Sequence, residues 1–263
     1  MTKKFFSMVF AAMLLIASVV AAEEFQQVVE IKAGGVIEVT GRKSYDPDKS
    51  LDELRRMAIL DAYRYLAESI GNLTISSDSE MQRVSDLSDS VKSSVKATVN
   101  GARVVSVTRD DANNFIAKVR LNLYGGANSV ANLVVPKDTK VEPFPKFSPK
   151  FENIDSNYTG LIIECGGQEI STAVLPKIQS ASGKDVYAFK YLERNIVVGR
   201  GMVNYSDGAN SGTQRAGNNP LTVQAMFIQG GCDVVVSDDD ADKILAANQK
   251  SNFLKNCMVV FVK

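Results

Sequence analysis

The sequence predicts an α+β fold: a small N-terminal β-α-β-α-β-β domain followed by a mixed C-terminal α/β domain. Three patterns carry this reading. Ser50–Gly71 repeats apolar residues at helical spacing, and two segments between Val104 and Leu123 alternate apolar with polar residues. Beyond a proline-rich break, short apolar runs surround a helix that opens on acids.

The N-terminal domain, residues 23–125, begins with a strand at Gly35–Thr40 and a turn, Ser44-Tyr-Asp-Pro-Asp-Lys49. The principal helix follows. Ser50 caps it and Glu53 stands three residues on, the spacing of a capping box. Leu54, Met57, Ala58, Ala62, Leu66 and Ile70 share one face, and Gly71 is the expected left-handed stop. Tyr63 and Tyr65, two apart, cannot face the same way, so one is expected in the core and the other at its rim. Leu73–Ser76 reads as a short strand. Val84, Leu87, Val91, Val95 and Val99 recur at about helical spacing and predict a second amphipathic helix, closed by Asn100-Gly101. Strands at Val104–Thr108 and Phe115–Leu123 flank the turn Asp111–Asn114.

Residues 126–157 form the break. Pro136, Pro143, Pro145 and Pro149 are four of the seven prolines in the chain. Proline favours extended backbone and removes hydrogen-bond donors. Phe144, Phe147 and Phe151 make the segment too apolar for a free linker. It reads as a strap pinned by its rings, or alternatively as an aromatic strip that contacts a partner protein.

The C-terminal domain, residues 158–263, is of unclear role. Strands are expected at Gly160–Cys165, Pro176–Ile178, Val186–Phe189, Ile196–Val198, Leu221–Ile228, Val234–Val236 and Met258–Val262. Ser182-Gly-Lys-Asp185 has the composition of a hairpin turn. Ser237 and the acids after it open one helix, and a short second helix is expected at Asn252–Asn256.

Residues 1–22 predict a signal peptide. Lys3 and Lys4 precede an apolar run from Phe5 to Val20, and cleavage is expected after Ala22; retention as an anchor is the alternative. Removing that segment leaves 28 basic against 30 acidic residues, a net charge of about −2. Such a balance argues against nucleic acid or an anionic membrane surface as partner. Cys165, Cys232 and Cys257 are an odd set for an exported chain; a Cys232–Cys257 disulfide closes the shortest of the loops that a bridge between neighbouring cysteines would make, and small buried hydrophobes are the other reading.

The chain contains no His. It therefore lacks the side chain best suited to proton transfer near neutral pH and the commonest nitrogen ligand of transition metals. No catalytic residue, metal ligand or cofactor site is expected. Asp238, Asp239, Asp240 and Asp242 lack the alternation and the glycine of a calcium loop and suit a helix N-terminus. Asp46 and Asp48 read as turn chemistry, and Gly199-Arg-Gly201 and Gly230-Gly231 lack the spacing of a phosphate cradle. Ser182 has no base to serve it. Glu164 is the one carboxylate that a hydrolytic reading would name.

Ala58-Ile-Leu-Asp-Ala-Tyr-Arg-Tyr-Leu-Ala-Glu-Ser-Ile-Gly71, with Asn100-Gly-Ala-Arg-Val-Val-Ser106, resembles the LPP lipoprotein family of bacterial envelopes across residues 30–125. The same region resembles the N-terminal part of flagellar H-ring proteins and flagellar-assembly lipoproteins. The C-terminal domain is similar to one found in some exported members of this group, through Gly160–Ile163, Asn218–Leu221, Asp233–Ser237 and Phe253–Cys257. The resemblance implies a periplasmic, non-enzymatic structural or adaptor protein, with flagellar or outer-membrane assembly as one setting and other envelope proteins as partners. The acylated Cys of the lipoprotein members is absent here, so no direct lipid anchor is expected. A homo-oligomeric ring subunit and a ligand-binding or carboxylate-dependent hydrolytic C-terminal domain are the competing readings.

Overall fold

The long helix organises the first unit. In the computed structural model, which describes residues 29–32, 35–78, 83–86, 88–155, 157–208 and 213–263, it is α1 (Leu51–Gly71). The Ser50 side chain accepts from the Glu53 N–H at 3.2 Å, as the capping pattern requires. Leu54, Ala58, Ala62, Leu66 and Ile70 are completely buried. They lie on an antiparallel sheet in the order β1-β2-β4-β3, made of β1 (Val29–Lys32), β2 (Val36–Lys43), β3 (Arg103–Arg109) and β4 (Phe115–Asn122). β1 was not foreseen. Where β2 crosses the helix, a Cβ on Gly41 would stand 2.2 Å from the Ala62 nitrogen and 2.5 Å from the Ala58 carbonyl oxygen. The glycine and the two alanines together let strand and helix backbones approach closely.

Several sequence expectations for this unit change. Gly71 does not stop α1 in a left-handed turn: the cap is Asn72, right-handed at φ −88°. Its N–H and that of Leu73 tie back to the Glu68 and Ile70 carbonyls at 3.0 and 3.1 Å, so the helix tightens without reversing hand. The valine-spaced helix is shorter than expected. Val84–Asp86 is one 3₁₀ turn, Ser88 is extended, and α2 (Asp89–Asn100) begins after it. Leu73–Ser76 joins neither the sheet of its own unit nor any other as a strand. Thr74 instead forms isolated bridges to Arg83 and to Ala173 of the second unit. The Val174 and Leu175 N–H groups donate to the Thr74 and Ile75 carbonyls at 3.0 and 2.7 Å, so this segment stitches the two units together.

After β4 the chain makes the short helix α3 (Val130–Val134) and then runs without regular structure until a 3₁₀ turn at Pro149–Phe151. The second unit has two four-stranded sheets. One contains β5 (Gly160–Glu164), β8 (Asn204–Ser206), β9 (Pro220–Gln224) and β12 (Val259–Val262), all parallel, in the order β8-β12-β5-β9. The other is mixed, in the order β10-β11-β6-β7, from β6 (Ile178–Ser180), β7 (Asp185–Tyr187), β10 (Phe227–Gln229) and β11 (Asp233–Val236). Helices α4 (Arg194–Arg200) and α5 (Asp238–Ser251) complete it. Ser182–Asp185 is the hairpin turn expected between β6 and β7.

Ile196–Val198, expected as a strand, lies in α4. Val197 and Val198 are buried there, and Gly201 at φ +76° ends the helix. Leu221–Ile228 is two strands of different sheets. The chain changes sheet where Ala225 N–H donates to the Glu164 carbonyl at 2.9 Å and Met226 N–H to that of Val235 at 2.7 Å. Asn252–Asn256 is a turn, because Asn252 takes the left-handed conformation at φ 57° and caps α5. The Cys232–Cys257 bridge is not formed: all three cysteines are free and buried. Cys232 stands beside Asp233 just before β11 of the mixed sheet, while Cys257 lies in the turn before β12 of the parallel sheet, beside Tyr187. The signal segment, its cleavage after Ala22 and the retained-anchor alternative lie outside the described residues. Among the described residues, no helix is long and apolar enough to cross a membrane.

Candidate functional site

The proline segment lies as a strap on the second unit, held at several points. Glu142 N–H donates to the Lys190 carbonyl at 2.8 Å, and Phe144 meets the Tyr191 ring at 5.2 Å between centroids. Lys150 pairs with Asp239 at 2.7 Å near the start of α5, and Lys250 near its end donates to the Ile154 carbonyl at 2.6 Å. Between strap and helix lies a half-open cleft of about 600 Å³. Phe144, Pro145 and Phe147 form the strap wall, and Leu245, Asn248 and Asn252 the helix wall. Lys146, Glu152 and Gln249 complete the lining, and all three are exposed.

Of the three rings singled out in the sequence, Phe144 and Phe147 line this cleft half-buried, while Phe151 sits in the 3₁₀ turn with the Lys150 ammonium 5.0 Å from its centroid. Sequence reasoning missed Asn248. It occupies a position of the buried stripe of α5, after Ala241, Ile244 and Leu245, and is 4% exposed. Its Oδ1 accepts from the Leu254 N–H at 2.8 Å, which secures the turn after the helix and orients the amide. A polar residue at an apolar register position was the signal available in the sequence.

The seam between the units holds a second polar cluster. Asp233 is 1% exposed and accepts from the Ser77 hydroxyl, from the Lys177 N–H at 2.9 Å and from the Cys232 thiol at 3.6 Å. Lys177 reaches Asp78 with its ammonium. Burial raises the Asp233 carboxyl above its ordinary value, opposed chiefly by the Ser77 hydrogen bond. Burial and the neighbouring Asp233 push the Cys232 thiol up to about 12, and burial takes Cys165 to about 11. Cys257 is also raised by burial, so none of the three is an activated thiolate at neutral pH.

The remaining sequence candidates do not converge. Glu164 ends β5 half-buried, accepts from the Gln224 side chain and lines neither the cleft nor the cavities beside α3 and at the seam near Tyr124. The acids of α5 disperse: Asp238 accepts from Ser182, Asp239 pairs with Lys150, and Asp242 with Lys184 at 2.6 Å. Asp46 accepts the Asp48 N–H in a turn. Among the described residues, no three acidic or cysteine side chains are grouped to hold a metal ion.

Residues 160–263 match the family described as Treponema pallidum Tp0624, second domain. The matched stretch begins at the first residue of β5 and ends beyond β12, so the Tp0624-like region carries both sheets of the second unit. The strap and the α1 unit lie outside it. The helix wall of the cleft lies inside the match and the strap wall before it. No curated protein matches the chain.

Proposed function

We propose that this chain is an exported, periplasmic and non-enzymatic protein of the bacterial cell envelope, acting as a structural or adaptor component. Flagellar or outer-membrane assembly is the setting that the LPP-like sequence of residues 30–125 suggests, an analogy of family rather than of site. The observation that carries the reading is the strap cleft. Its walls are phenyl rings, a proline, a leucine and side-chain amides, tied down at both ends of α5. Such a lining recognises another molecule by shape and hydrogen bonding. The seam supports it further, because backbone bonds from Thr74 and Ile75 into the second unit give the two units a fixed relation. A protein that arranges others benefits from rigid spacing between its surfaces.

The test is a photo-crosslinking residue in place of Lys146, activated in intact cells, with products identified by mass spectrometry. Envelope proteins are the expected catch. Capture of none, or a purified chain that consumes a compound and stops doing so when Glu164 is replaced, would overturn the proposal.

A further inference from the structure

We infer that the end of α4 carries a binding site for a doubly charged oxyanion of the phosphate type, built from Arg200, Arg215 and Tyr124. The site shares no residue with the strap cleft and does not depend on the envelope role. Its geometry starts from the last residue of α4, Arg200, and from Gly201, which ends the helix at φ +76°. Arg215 comes from the 3₁₀ turn Thr213–Ala216 and folds back on this end. Its Nη2 donates to the Arg200 carbonyl and its Nη1 to the Gly201 carbonyl at 3.4 Å. Tyr124 arrives from the first unit. A Cβ on Gly201 would stand 2.6 Å from the Tyr124 Cζ, the ring carbon that bears the hydroxyl. The Arg200 guanidinium turns to the Met258 sulfur, 3.4 Å from its Nη2.

What this cluster lacks is an acceptor with charge. Among the described residues neither arginine makes an ion pair, and the Tyr124 hydroxyl makes no hydrogen bond. The two carbonyls at the helix end occupy only part of the five-donor fork of Arg215, and a thioether is a weak acceptor for Arg200. The unused donors are not sealed in the interior, so they open to solvent where a ligand can reach them. Arg215 is half-buried, and burial and then the Arg200 charge act against its protonated form. The groups that oppose this are Tyr187, Cys257 and Tyr124, and burial raises all three, so none carries charge at neutral pH. A guanidinium stays protonated regardless, so two cations stand together without a counter-charge. An anion held between them removes that cost. Guanidinium forks match phosphate oxygens, and a phosphate monoester, with nearly two negative charges at neutral pH, balances both arginines where a carboxylate balances one. Free phosphate and the phosphate end of an ester share this chemistry.

The test is calorimetric titration at fixed ionic strength with inorganic phosphate, phenyl phosphate, dimethyl phosphate and acetate. Both dianions should bind with Kd of about 1 mM or tighter, and the two singly charged ligands at least about tenfold more weakly. Tighter binding of phenyl phosphate than of phosphate assigns the site to an ester, and equal binding assigns it to the free ion. Arg200 is exposed, and Arg200→Gln keeps the main-chain carbonyl that Arg215 holds. This variant should keep the wild-type urea midpoint in phosphate-free buffer, yet bind phosphate about tenfold more weakly. Phosphate should raise the urea midpoint of the wild type and leave that of the variant nearly unchanged. Tyr124→Phe, which removes only the hydroxyl, should cost about threefold in affinity. Phosphate that fails to bind at about 20 mM would overturn the proposal. So would acetate that binds as tightly as phosphate, or an Arg200→Gln chain with wild-type affinity.

Discussion

The two units solve one packing problem in opposite ways. In the first, an antiparallel sheet buries a single face, and β4 shows it residue by residue: Phe115, Ala117, Val119 and Leu121 are buried, while Lys118, Arg120 and Asn122 are exposed. In the second, all four residues of β11 are buried, as are three of the four in β12. Parallel strands covered on both sides cannot alternate, because neither face meets water. The first arrangement writes its neighbours into the sequence as a period of two. The second writes apolar runs in its inner strands β11 and β12, while the edge strand β9 still alternates, and neither pattern says which sheet a strand joins. Both converge on glycine where backbones touch: a Cβ on Gly160 would stand 2.5 Å from the Ala216 carbonyl oxygen and 2.6 Å from that of Met258, much as one on Gly41 would collide with α1.

The largest effect should come from those glycines. Gly41→Val and Gly160→Val each force backbone apart in a packed interior, with an expected loss of at least about 3 kcal/mol by urea unfolding. One continuous apolar core contains Leu66 of α1 and Phe261 of β12, so damage in either unit should lower a single shared transition. Two separate transitions would show that the units are more independent than their seam implies. Leu66→Ala, a fully buried side chain on the helix, should cost about 2–5 kcal/mol.

The seam gives a test through pH. The Asp233 carboxyl is raised by burial in the folded chain, so the native state holds that proton more tightly than the unfolded state does. Stability from this group is present below its unfolded value, near 3.8, and is lost as pH rises through the raised folded value. Asp233→Asn should therefore gain on the wild type as pH climbs from about 4 toward neutrality. A difference that stays constant with pH would mean that Asp233 is ionised without penalty.

Thiol labelling separates the two readings of the cysteines. A maleimide reagent should leave the folded chain almost unmodified and add to all three cysteines after denaturation without reductant, read as mass. A single addition would signal a disulfide. The smallest effect belongs to the strap's outer tie. Lys150 and Asp239 have side chains 61% and 73% exposed, so Lys150→Gln should leave the unfolding midpoint nearly unchanged.

Local chemistry was legible wherever neighbours in sequence were also neighbours in space. The capped start of α1, its buried stripe, the β6–β7 turn and the Ser237 cap of α5 were all readable for this reason, and Ser237 does accept from the Asp240 N–H at 3.0 Å. The failures share the opposite cause. Val197 and Val198 prefer strands as isolated residues, but burial beside α3, where the Arg194 side chain donates to the Asn132 carbonyl at 2.8 Å, suits a helix. The run from Leu221 to Ile228 has no break in composition, yet two sheets claim its halves. The candidate site divides in the same way. Phe144 and Phe147 declared themselves as rings too apolar for a linker, whereas Asn248 gained meaning only from what faces it.

Periodicity, caps and proline spacing were enough to specify an α+β chain with a pinned aromatic strap, because each depends on contacts within a few residues. The order of the eight strands in the second unit, the stitch from Thr74 to Val174, the free state of the thiols and the cleft against α5 join residues up to about a hundred positions apart. No local pattern encodes such pairings, since they are settled by which buried surfaces and unpaired backbone groups satisfy one another once the chain has collapsed.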